Sequence, residues 1–246
     1  MNGTPITSAK NPIFLLQQKV LKLKKTRRKE GLIWLEGLRA VQQCPPSKIK
    51  ALFLGSRAPE GENWPCAPYR LSEELASLAF DTESPQEVGC LLNWRGHDLE
   101  DLNWEKGVVI ADGLQDPGNA GSLLRSAAGL DYGGFVMLDS IELGNPKLLR
   151  SCAGHIFSIP LCESDSRETL QAYLSDNNIA CYMADAGGEN DQIKKPEGPF
   201  CLVIGSEGHG LGPGWTGQRW TLPLANDVES LNAAVAGSLL AYCLKI

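Results

Sequence analysis

Three segments of the C-terminal half combine polar side chains with turn-forming residues beyond what a plain α/β domain requires. In 111–129 (ADGLQDPGNAGSLLRSAAG) a strand runs into an Asp-Pro-Gly-Asn turn and then a helix. Asn119 is a natural cap for that helix. Arg125 follows six residues on, too far round to share one face with Asn119, yet long enough to border the same cleft. In 202–214 (LVIGSEGHGLGPG) an apolar strand enters a loop with glycines at 205, 208, 210, 212 and 214 around Glu207. Glycines there permit positive φ and a close approach of backbone to a ligand. Pro213 and a following strand separate this loop from the strand–helix setting of a dinucleotide fingerprint. In 221–242 a short strand gives way to a polar turn, and Ser230-Leu231-Asn232 opens an otherwise apolar helix. Ser230 suits the cap of that helix, and Asn232 at its head requires a polar partner. Taken singly, a capped helix with a surface arginine, an ordinary glycine turn and an N-cap would explain each.

The elements around these segments read as two α/β units. Residues 10–28 have helical spacing of Ile13, Leu16, Val20 and Leu23, and Gly31 follows as a stop. Strands are expected at 32–37, 48–55 and 87–94, with short helices after 37 and over 72–80. The polar stretch 95–106 reads as a linker between a first domain, 1–94, and a second, 107–246. In the second, strands at 107–113, 134–140 and within 155–161 alternate with helices at 119–128, 146–153 and 166–175, the last with Asp165 and Glu168 at capping-box spacing. IACYMADA, FCLVIGS and WTLPL are further strands, and an apolar helix runs from Ser230 to Leu244. Such alternation predicts a mostly parallel sheet covered on both faces.

Composition narrows the class. With 43% apolar and 21% charged residues, the chain reads as globular, and it has no apolar run of membrane-spanning length. Its start lacks the charged and apolar regions of a signal peptide, and eight cysteines lie scattered without a C-x-x-C pair, so a cytoplasmic protein with reduced thiols is expected. His97, His155 and His209 make no cluster of metal-ligand spacing, and no metal is expected. The net charge of −6 argues against a polyanionic partner, but its distribution does not. The first thirty residues carry eight Lys and Arg against Glu30 alone, and the rest of the chain is strongly acidic. Lys24, Lys25, Arg27 and Arg28 form the densest part of this arm, which would bind phosphates locally. The solvated face of an amphipathic helix would look the same.

In this order, the three segments resemble the motifs of the SpoU (TrmH-type) RNA ribose methyltransferases of the SPOUT superfamily. Asn-x-Gly followed by Arg is met by Asn119, Gly121 and Arg125. The glycine loop element is met by Gly205, Glu207, Gly208, Gly210 and Leu211, and Pro followed by Ser-Leu-Asn by Pro223, Ser230, Leu231 and Asn232. The stretch 145–161, with Lys147, Arg150, Ser151 and Gly154, also resembles the family. The N-terminal part resembles the small ribosomal-protein-like domain often fused ahead of the catalytic one. Two departures are an alanine pair after Asn232 and a chain that stops early, at Ile246, where a dimer contact is expected.

The resemblance implies an α/β catalytic domain with a deep trefoil knot, a small N-terminal α/β RNA-binding domain, and a homodimer. It implies S-adenosylmethionine as cofactor, held by the loops at Gly205, Leu222, Leu224, Leu231 and Asn232. It implies methylation of a ribose 2′-hydroxyl in RNA, with Arg125, Asn119, Glu207, Ser230 and Asn232 as catalytic residues. Arg125 has two possible parts there, base or bidentate clamp on an RNA phosphate, and the high pKa of a guanidinium weighs against the first. The fused N-terminal domain favours ribosomal RNA. A tRNA ribose methyltransferase, and a non-catalytic RNA-binding protein of the same fold, are the alternatives.

Overall fold

In a computed structural model of the chain, residues 3–80, 82, 84–189, 193, 194, 196–225, 228 and 230–245 are described. They divide into two compact units: Met1–Arg95 with Gly144–Phe157, and Gly96–Leu143 with Ser158–Ile246.

The first unit begins with β1 (Thr4–Ile6) and α1 (Pro12–Lys22). Asn11 caps α1, accepting from the amide of Ile13 at 3.0 Å, and Pro12 occupies the first turn, where its missing N–H costs nothing. The helix expected over 10–28 is broken. Leu23 is extended (φ −120°, ψ 110°), and α2 (Lys24–Glu30) starts anew. The guanidinium of Arg27 turns back to donate to the carbonyls of Val20 (2.6 Å) and Leu21 (3.1 Å), which the end of α1 leaves without helical partners. Gly31 ends α2 in the left-handed conformation, φ +61°, as a helix stop requires. Then come β2 (Leu32–Glu36), α3 (Leu38–Gln43), β3 (Ile49–Leu54), β4 (Tyr69–Leu71), α4 (Glu73–Ala79) and β5 (Val88–Asn93). The sheet order is β1-β4-β3-β5-β2, with β5 antiparallel to both its neighbours. Phe14, Val20, Trp34, Phe53, Leu75 and Phe80 fill its core.

The second unit starts with β6 (Val108–Asp112), α5 (Pro117–Gly129) and β7 (Gly134–Leu138). The chain then returns to the first unit for α6 (Pro146–Ser151), which packs on β2 and buries Leu148 and Leu149. The sequence places this segment within the second domain, 107–246. What decides is tertiary packing: at Gly154, φ +87°, a β-carbon would collide with the side chain of Gln43. The strand expected in 155–161 is a single 3₁₀ turn at His155–Phe157, and the strand proper is β8 (Leu161–Ser164). Next are α7 (Arg167–Asp176), capped by Ser166 rather than Asp165, β9 (Ala180–Glu189) and β10 (Phe200–Gly205). The strand expected in WTLPL lies earlier, as β11 (Gln218–Trp220), and α8 (Ala233–Cys243) closes the chain.

The order β11-β9-β10-β6-β7-β8 is parallel throughout. Both faces are covered, so β6 and β7 are buried at every residue, which is why they read as continuous apolar runs. Chain order reverses between β6 and β10, and ligand crevices of open α/β sheets form outside the carboxyl ends of such strands. The two strands end at Asp112 and Gly205, the starting points of the first two polar segments.

Candidate active site

At the carboxyl end of β6 the cap of α5 is Asp116, not Asn119. Its Oδ1 accepts from the amide of Asn119 at 2.7 Å, and Pro117 takes the first helical position. This releases the side chain of Asn119 for longer-range work. Its Nδ2 donates to Oε1 of Glu207, and its Oδ1 accepts from Nδ2 of Asn232 at 2.9 Å. Asn232, in turn, is the true cap of α8, its Oδ1 accepting from the amides of Ala234 (3.0 Å) and Val235 (3.2 Å). Ser230, expected as that cap, lies in the loop before it. The resulting chain has one possible polarity. A carboxylate that only accepts sits at one end and backbone N–H groups that only donate sit at the other, so both amide orientations are fixed. Three segments far apart in sequence meet here, although Asn232 is exposed rather than buried.

The glycine loop is shaped by contacts that forbid side chains. Ser206 and Gly210 exchange backbone hydrogen bonds of 3.0 and 2.9 Å, folding the loop back on itself. A β-carbon on Gly205 would collide with the backbone of Gly210, so close is the return. The far limb is fastened below. Gly212 N–H and Trp215 Nε1–H both donate to Oδ2 of Asp112 at 2.7 Å, and Arg167 binds the other carboxylate oxygen. The sequence reading missed Asp112, Arg167 and Trp215. The available signal was an aspartate closing the apolar run VVIAD, a position where a buried carboxylate demands partners.

Beside the loop opens a cleft of about 220 Å³. Gly205, Leu222, Leu224 and Leu231, the expected cofactor residues, line it, as do Glu207 and Ser230; Asn232 stands next to it without lining it. Ile204, Leu231 and Leu240 give the lining apolar surface that suits a flat ring, and Asp185, Ser206 and Glu207 add polar groups. Asp185, also unforeseen, lines the cleft, accepts from the amide of Gly187 at 2.9 Å and pairs with Arg219.

Arg125 stands apart from the Glu207–Asn119–Asn232 chain. It is exposed on α5, and its side chain makes no hydrogen bond or ion pair among the described residues. Its neighbour Ser126 is bonded to Ser238 of α8 at 2.7 Å, within the contact that packs α8 on α5. In the N-terminal arm, Lys24, Lys25 and Arg28 are exposed, whereas Arg27 is 7% exposed. Arg27, expected with them to bind RNA, is buried and turns its guanidinium to the carbonyls at the end of α1.

The model of the SpoU rRNA Methylase family matches residues 106–242. The 23S rRNA (guanosine(2553)-2′-O)-methyltransferase of Bacillus subtilis is 31% identical over 255 residues, covering 98% of this chain and 98% of its own length. The 23S rRNA (adenosine(1067)-2′-O)-methyltransferase of Streptomyces laurentii is 28% identical over 69% of this chain and 66% of its own. Among solved structures, the SpoU methyltransferase AviRb from Streptomyces viridochromogenes, in complex with AdoMet, superposes with a TM-score of 0.83 at 23% identity, over 96% of this chain and 97% of that one. An AdoMet-bound rRNA methyltransferase from Sinorhizobium meliloti gives 0.84 at 22% identity, over 98% and 97%. At these identities the two structures show a shared fold.

Proposed function

The chain belongs to the SpoU rRNA methylase family, and on that premise we propose that it moves a methyl group from S-adenosylmethionine to a ribose 2′-hydroxyl of ribosomal RNA. The observation that carries this reading is the hydrogen-bonded chain Glu207–Asn119–Asn232, which gathers all three motif segments at the cleft. The rRNA substrate printed for the Bacillus subtilis relative supports ribosomal over transfer RNA.

The cleft fits the cofactor in the chemistry of its walls. The backbone at Gly205, Leu222, Leu224 and Leu231 would hold it, with Ile204 and Leu240 against its ring. When bound, the cofactor supplies an electrophilic methyl on a sulfonium, so one O–C bond forms as one C–S bond breaks and the hydroxyl proton leaves. Positioning is then the chief task, and well-oriented groups are worth on the order of 7 kcal/mol or more. Asn119 has both side-chain atoms engaged, so it and Asn232 serve as positioning residues for Glu207. The second carboxylate oxygen of Glu207 is left to meet a basic side chain or the substrate, and Ser230, which lines the same cleft, offers its hydroxyl. Arg125, a cation on the same helix as Asn119 with no side-chain partner among the described residues, clamps the phosphate beside the target ribose. Lys24, Lys25 and Arg28 add phosphate contacts of their own.

Further features belong to the same reading. The trefoil knot is supported by β10 lying between β9 and β6, with the chain then passing back to β11 before α8 packs on α5. The homodimer is supported by Val235, Leu239 and Tyr242, exposed at 49%, 46% and 52% with helical spacing on α8. No described helix is long and apolar enough to cross a membrane, and all eight cysteines are free, which supports a cytoplasmic site of action.

The test is transfer of a tritiated methyl group from the cofactor to transcribed 23S rRNA, followed by alkaline hydrolysis. Label in alkali-resistant dinucleotides is expected, because a 2′-O-methyl ribose blocks cleavage. Label in mononucleotides alone would mark base methylation and refute the proposal.

A further inference from the structure

We infer that Asp112 is a positioning residue of the proposed methyl-transfer site, its buried carboxylate fixing the glycine loop and so the place of Glu207. The inference rests on the functional reading above but stands on its own contacts. Asp112 is 1% exposed at the carboxyl end of β6. A carboxylate there is strongly unfavourable unless its lone pairs are met. All its listeners come from two places. Oδ1 receives Arg167 from the first turn of α7, and Oδ2 receives Gly212 N–H and Trp215 Nε1–H from the loop, each at 2.7 Å. Arg167 also lies 3.2 Å from Asp139, which follows β7 at φ +47°.

This cluster does more than hold strands together. At Gly212 a β-carbon would collide with the guanidinium of Arg167, so the loop is drawn tight over the ion pair. The segment joining β6 to α5 is thereby tied to the same loop at both ends, Asp112 to Gly212 and Trp215, and Asn119 to Glu207. Gly210 lies between these ties, and it lines the cleft together with Gly205, Ser206 and Glu207. Loosening the lower tie removes the polar anchor of the loop's far limb and leaves the Asn119–Glu207 contact at its near limb.

Full-length Asp112→Asn and Trp215→Phe test this. Trp215→Phe removes one donor while keeping most of the packing, and it decides the matter should Asp112→Asn fail to fold. Deuterium uptake across 206–215, measured without cofactor, is expected to rise in both while uptake across 134–138 stays as in the parent. S-adenosylmethionine affinity by calorimetry and kcat should each fall about ten-fold or more, since small displacements of positioned groups cost up to about 100-fold. KM for RNA should stay within about two-fold. Unchanged loop exchange, or a lowered Tm with cofactor affinity and kcat intact, would overturn the inference. Should the parent protein bind no S-adenosylmethionine, the functional reading fails, and the exchange result alone decides whether Asp112 anchors the loop.

Discussion

Asn232 holds two partners at once, capping α8 with its Oδ1 and donating to Asn119 with its Nδ2. Substitution separates the two. Asn232→Ala loses both, and stability should drop by about 1 kcal/mol from the missing cap. Asn232→Asp keeps a capping oxygen at the N-terminus of α8 but has no donor for Asn119, so stability should hold while methyl transfer falls at least ten-fold. Thermal unfolding and turnover measured together check this, and turnover that follows stability in both variants would show the cap to be its whole role. The sequence alone pointed to Asn119, Glu207 and Asn232, and to a polar partner for Asn232, but placed the helix caps at Asn119 and Ser230. Local patterns identify residues able to cap a helix, whereas Asp116 and Asn232 take the caps because of where the chain enters each helix, which is a tertiary fact.

At the scale of elements, the basic arm is two helices and its charges do different work. Arg27→Ala should destabilise the first unit by about 2–3 kcal/mol, because charged hydrogen bonds to two otherwise orphaned carbonyls are lost. RNA affinity of the folded protein should change little. Replacing Lys24, Lys25 and Arg28 together should do the reverse, weakening RNA binding and lowering its salt slope by somewhat under one unit per lost contact. Filter binding across a salt series, with denaturant unfolding alongside, separates the two effects. The parallel sheet of the second unit was legible because buried strands are long apolar runs. The three-residue strands β1 and β4 were not, being too short to show a period, and neither was the break at Leu23, where an apolar residue keeps helical spacing while its backbone is extended.

For the molecule as a whole, two properties follow from burial. Burial raises the Cys162 thiol from its ordinary 9.0 to about 11, and Cys152 and Cys201 are also raised, Cys201 chiefly through its contact with Cys181. Folded protein thus holds these protons more tightly than unfolded chain, and their stabilisation, complete below about pH 9, should fade as pH rises toward 11. Chemical denaturation from pH 7 to 11 reads this directly; a flat profile would contradict it. The exposed stripe of α8 makes the second property. Leu239→Glu should turn a dimer into a 26.6 kDa monomer by light scattering, and a parent protein already monomeric at tens of micromolar would remove the dimer from the account. The central claim, that this site transfers methyl groups with Arg125 as its clamp, is tested most directly by turnover of Arg125→Ala at saturating RNA and cofactor. The account predicts intact cofactor binding with kcat down about 100-fold or more, the cost of a ribose hydroxyl no longer held in line with the methyl group. Near-parental kcat would contradict it.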